Sequence, residues 1–164
     1  MVRALAISCL LAAFAAAALA APAPAPAPAA GPYDPALDGV KQLEAAGALA
    51  AAEHKRVLVV VGGNWCKWCR ALDGLMGRDD ALRTEIAGRF ELVHLNYSKE
   101  NKNPQAMERL GRPDKLGFPA VLVLSARLDV LKTQSSDVFE TGDKDKPGHD
   151  PVKLLTFLKE WDAR

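Results

Sequence analysis

The chain has 164 residues, 49% hydrophobic and 25% charged, with 21 Lys and Arg against 20 Asp and Glu. That length suits one domain with a buried core. The near-balance of charge, with no basic stripe carrying interleaved aromatics and no acidic tail, excludes a nucleic-acid surface.

The first twenty residues, MVRALAISCLLAAFAAAALA, place one early cation, Arg3, before an apolar run from Ala4 to Leu19. The run closes on Ala18-Leu19-Ala20, the small-x-small pattern of a cleavage site, so residues 1–20 are predicted to be an export signal cut after Ala20 or Ala21. The run is short for a span of about 20 residues, so the mature chain is expected to be periplasmic or secreted, without membrane contact unless the leader is retained. Its loss takes Cys9 and leaves Cys66 and Cys69. The Pro-Ala repeat over residues 21–32 is extended polyproline and reads as a spacer.

A single domain is expected over residues 33–164. Asp34 and Pro35 are predicted to open a helix with Leu37, Val40, Leu43 and Leu49 on its apolar face. RVLVVV is a β-branched run suited to a central strand buried on both faces, ended by Gly62-Gly63. A helix is expected from Trp65 or Cys66 to about Met76, then a turn at Gly77 and a second helix capped by Asp79 or Asp80. Phe90–Tyr97 is a second strand, Asn103-Pro104 starts a helix to Leu110, and Pro119–Ser125 is a third strand. VLKTQ follows as an antiparallel fourth strand. Ser135–Asp150 is polar and reads as a loop, its alternating charges solvated. Asp150-Pro151 open a last helix with Val152, Leu154, Leu155, Leu158 and Trp161 on its apolar side. The order α-β-α-α-β-α-β-β-α predicts an α/β sandwich with a mixed sheet of about four strands. Strands separated by helices should be parallel neighbours, with the last two strands forming a hairpin.

The chemistry concentrates in GGNWCKWCRAL. A strand end, a glycine turn and C-x-x-C opening a helix place Cys66 where free backbone N–H groups and the helix dipole favour a thiolate, the form that attacks disulfides. Lys67 adds positive charge. Cys69, one turn on, can attack a mixed disulfide and release its product. A disulfide between them closes a tiny loop and stabilises little, which points to chemistry rather than stapling. Two inert thiols, or a Cu(I) site using the pair and one histidine, are the competing readings. Zinc wants four ligands, and His54, His94 and His149 are scattered; His94, mid-strand, reads as an ordinary sheet residue. Haem attachment wants C-x-x-C-H, and Arg70 follows Cys69.

NWCKWC resembles the W-C-x-x-C site of the thioredoxin superfamily, and KLGFPAVLVL resembles its cis-proline segment. With the leader, the chain looks like exported bacterial thioredoxin-like proteins of the thiol:disulfide interchange type. The resemblance implies a three-layer α/β/α sandwich and a protein-disulfide oxidoreductase with Cys66 as the exposed nucleophile and Cys69 as the resolving thiol. It also implies a cis-Pro119, with Phe118 presenting backbone to substrate. Candidate substrate contacts are Trp65, Lys67, Trp68, Phe118 and Pro119. Of the two indoles, Trp65 is expected to pack beside the site and Trp68 to be exposed and touch partners. Partners would be protein disulfides or thiols and a membrane-delivered electron donor. No cofactor or resident metal is implied. One position departs from the pattern: thioredoxins carry a buried Asp six residues before the first cysteine, where this chain has Val60. The runner-up is a non-enzymatic thioredoxin-fold module for copper delivery or redox-regulated protein binding.

Overall fold

The computed structural model describes residues 31–142 and 148–162. The predicted export signal and all of the spacer but Gly31 and Pro32 lie outside the described residues. The chain runs through helix α1 (Gly39–Ala52), strand β1 (Arg56–Gly62), helices α2 (Lys67–Arg78) and α3 (Asp80–Arg89), and strand β2 (Phe90–Asn96). Helix α4 (Pro104–Arg109), strands β3 (Ala120–Leu124) and β4 (Val130–Ser135), and helix α5 (Pro151–Glu160) complete it, with short 3-10 turns at Pro113–Leu116 and Ser136–Phe139.

The four strands form one mixed sheet in the order β2-β1-β3-β4. β1 pairs parallel to β2 and antiparallel to β3, and β3 pairs antiparallel to β4. The expectation that helix-separated strands are parallel therefore holds for β1 and β2 only. The chain leaves β2, passes through α4, and enters β3 on the far side of β1 in the opposite sense.

Alternation along the strands builds two cores, because successive side chains point to opposite faces. Leu58 and Val60 of β1 with Val121 and Val123 of β3 face α2, α3 and α5. Val57, Val59 and Val61 with Leu122 and Leu124 face α1 and α4. β1 is buried from Val57 to Gly62, as its unbroken apolar run predicts.

Three helices depart in detail from the sequence expectation. α1 is capped by Asp38, whose carboxylate accepts from the N–H groups of Val40 and Lys41; Asp34 instead accepts from Ala36 N–H in a local turn. The buried face of α1 is Gly39, Leu43, Ala46, Gly47 and Ala50, while Leu37 and Leu49 are exposed. Small residues win that face because the helix lies close on its neighbours: a Cβ on Gly39 would stand 2.6 Å from Leu95 Cδ1. Gly77 lies within α2, which runs on until Asp79 stops it and caps α3 through Leu82 N–H. In α5 the buried residues are Leu154, Phe157 and Leu158, and Val152 is exposed.

Candidate active site

The site forms where β1 ends. Gly62 and Gly63 turn the chain, and neither leaves room for a side chain. A Cβ on Gly62 would stand 2.6 Å from Cys69 Sγ, and one on Gly63 would strike the Trp65 indole and lie 2.9 Å from the Tyr97 carbonyl. Cys66 N–H then donates to Gly63 O at 3.0 Å, and Cys66 becomes the N-cap of α2. Its Sγ accepts from Cys69 N–H at 3.1 Å, so the sulfur sits among free N–H groups at the positive end of the helix dipole.

Cys66 and Cys69 are joined as a disulfide, with Cα atoms 5.2 Å apart. Cys66 keeps 6% of its surface exposed and Cys69 none. Across from them the Phe118–Pro119 peptide is cis. The sheet register brings it there: Ala120 pairs with Val61, so Pro119 stands beside the glycine turn. The Phe118 carbonyl oxygen lies 3.8 Å from Cys66 Sγ.

The two indoles exchange the roles expected for them. Trp65 is 58% exposed, its Nε1–H donating to Tyr97 O at 2.8 Å and its ring edge-on to Phe118. Trp68 packs against the α2-side core and meets the His149 ring edge-on. Trp65 precedes the helix and is anchored through its Nε1–H and Phe118, with more than half of its surface open to solvent. Trp68 is covered by the return of the chain at the Glu140–His149 bridge. Lys67 opens α2 and is exposed. A cleft of about 480 Å³ lies beside Trp65, lined also by Tyr97, Ser98, Lys99, Glu100 and Lys102.

Five residues that sequence reasoning did not assign to the site stand behind or beside the cysteines. Asn64, in the turn, clamps Tyr33: Tyr33 N–H donates to Asn64 Oδ1 at 3.2 Å and Asn64 Nδ2 donates to Tyr33 O at 2.7 Å. Arg70 from α2 holds the Asn64 carbonyl. The Tyr33 ring is fully buried in the same core as Cys69 and meets His94 edge-on. His94 pairs with Val60 in the parallel register, and its Nε2 lies 3.0 Å from Asp73 Oδ1 of α2, off the hydrogen-bond line. Burial lowers the His94 pKa, with Asp73 opposing. The only signal for His94 was its phase with Phe90 and Leu92 on the α2-side face of β2. No spacing links Tyr33 to Asn64, which lies 31 residues on.

Among the described residues no group of three or more His, Cys, Asp or Glu side chains could hold a metal ion.

Fold and site together define a thioredoxin-like domain with a C-x-x-C pair at disulfide distance. The family profile described as thioredoxin-like matches residues 38–126, and the chain belongs to that family. A disulphide isomerase from Xylella fastidiosa Temecula1 is similar in structure at 29% identity, with a TM-score of 0.66 over 79% of this chain and 95% of that one. A DsbH oxidoreductase shares the fold at 15% identity, with a TM-score of 0.50 over 73% of this chain and 81% of that one. A search of the curated proteins found no match.

Proposed function

We propose that the protein is an exported thiol–disulfide oxidoreductase working by dithiol exchange, with Cys66 as nucleophile and Cys69 as resolving thiol. The observation that carries this is the placement of Cys66 as the N-cap of α2, with the fully buried Cys69 one turn in. In the reducing direction, the Cys66 thiolate attacks a substrate disulfide, forming a mixed disulfide and expelling one substrate thiolate. The Cys69 thiolate then attacks Cys66 Sγ, re-forming the Cys66–Cys69 bond and expelling the second. Two electrons pass from the cysteine pair to the substrate, and the reverse sequence oxidises substrate thiols. Lys67 adds positive charge beside the nucleophile. Trp65 and the backbone of Phe118 and Pro119 receive the substrate chain, with the cleft beside Trp65 taking its flanking residues.

Export rests on the leader at residues 1–20, and the spacer at 21–32 separates that leader from the domain. In the periplasm or outside the cell, re-reduction of the pair needs electrons delivered through a membrane. Substrates are protein disulfides or thiols, consistent with the disulphide isomerase to which the chain is similar.

Insulin reduction and reactivation of scrambled ribonuclease test the reading. Wild type is expected to exceed the Cys66→Ser/Cys69→Ser double variant in both; equal rates reject the activity. Cys69→Ser should trap mixed disulfides and Cys66→Ser should not, and equal trapping would reverse the assigned roles.

A further inference from the structure

Resolution asks something difficult of Cys69. Its sulfur is fully buried, yet it must become a thiolate to attack Cys66 Sγ. A buried anion without a hydrogen-bond donor is costly, and an apolar surrounding raises a thiol's pKa. Cys69 lies in a cluster of buried side chains that includes the apolar Val60 and Leu72.

One polar atom does reach this place. The Tyr33 ring is fully buried, and its hydroxyl has no hydrogen-bond partner among the described residues. An ideal Cβ on Gly62 would stand 2.6 Å from Cys69 Sγ and 3.0 Å from Tyr33 Oη, so sulfur and hydroxyl border the same bare glycine without being hydrogen-bonded in the disulfide form. The Asn64 clamp fixes the Tyr33 backbone to the turn that carries the cysteines. A buried hydroxyl left unpaired costs free energy, and opening the disulfide creates its missing acceptor.

Resting on the dithiol-exchange reading, we propose that Tyr33 donates a hydrogen bond to the Cys69 sulfur once the disulfide opens, stabilising the resolving thiolate. The titratable groups facing Tyr33 are Asp73 from α2 and His94 from β2; the rest of its cluster is apolar. Burial, reinforced by Asp73, holds the Tyr33 phenol above its usual range. It therefore stays protonated and acts as donor, not base.

The test is a stopped-flow reaction of the reduced protein with one equivalent of an aromatic disulfide that releases a coloured thiolate at each step. The first release reports Cys66 attack and the second reports resolution by Cys69. In Tyr33→Phe the first phase is expected to be unchanged. The second should slow about tenfold at neutral pH, with its pH midpoint raised by about one unit, as expected for the loss of one hydrogen bond to a charged group. Oxidised Tyr33→Phe should melt no lower than wild type, since it loses only an unpaired hydroxyl. A second phase with wild-type rate and midpoint overturns the proposal. Absence of a first phase in wild type instead rejects dithiol exchange itself, and this proposal with it. Should Tyr33→Phe not fold, a ring-fluorinated tyrosine at position 33, a stronger donor of similar shape, should lower the midpoint; an unmoved midpoint overturns the assignment.

Discussion

His149 is buried beneath Trp68, with neither ring nitrogen hydrogen-bonded among the described residues. Desolvation pushes its pKa down from 6.5 to about 4. Between those values the unfolded chain holds a proton at this site that the folded chain does not. The stability His149 contributes is therefore complete above pH 6.5 and is lost as pH falls through about 4, on the order of 1.4 kcal/mol per pH unit within the window. His94 shifts in the same direction, so the wild type weakens in acid for two reasons and His149→Phe removes one. Urea denaturation at stepped pH should show the variant losing less stability between pH 6.5 and 4; parallel curves would contradict this account. The burial of His149 could not be read from its place in the sequence. His149 lies in a polar stretch that only the chain's return against Trp68 covers.

At the scale of elements, caps and loop amides decide where helices begin. Because Asp38 caps α1, Asp38→Ala should cost about 1 kcal/mol in denaturant unfolding. Asp34→Ala removes a single local contact and should cost less; the reverse ranking would restore the start expected from the sequence. Asn103 shows a larger discrepancy. It stands before Pro104 as a helix start should, yet its side chain does not cap α4. Its Oδ1 accepts from Gly39 N–H at 2.8 Å and its Nδ2 donates to Asn96 O at 2.8 Å, joining α1 to the end of β2. Its backbone is left-handed, with φ 45°, which asparagine tolerates better than most residues. Asn103→Ala strands two backbone groups and strains φ, and should cost about 3 kcal/mol. Asn103→Gly relieves the strain and should recover part of that loss in the same denaturation assay.

At the scale of the molecule, two cores pack on opposite faces of one sheet, and the cysteine pair sits at the end of the central strand β1. The disulfide closes a loop of a few residues, worth on the order of 2 kcal/mol by chain entropy. Reduction should therefore leave the fold intact, with unchanged far-ultraviolet circular dichroism and a modestly lower denaturant midpoint. Unfolding on reduction would mean that the bridge holds the domain together.

The sequence by itself determined the order of elements, the doubly buried central strand, the hairpin of β3 and β4, and the cysteine pair at a helix start. Each of these is written in local signals: apolar period, capping residues, turn glycines and a three-residue spacing. Only the tertiary structure decided the antiparallel pairing of β3 with β1, the small-residue face of α1, which indole is exposed, and the meeting of Tyr33, Asn64, Asp73 and His94 behind the cysteines. These depend on how closely distant segments approach. That distance is set by packing across the sheet, which no local pattern encodes.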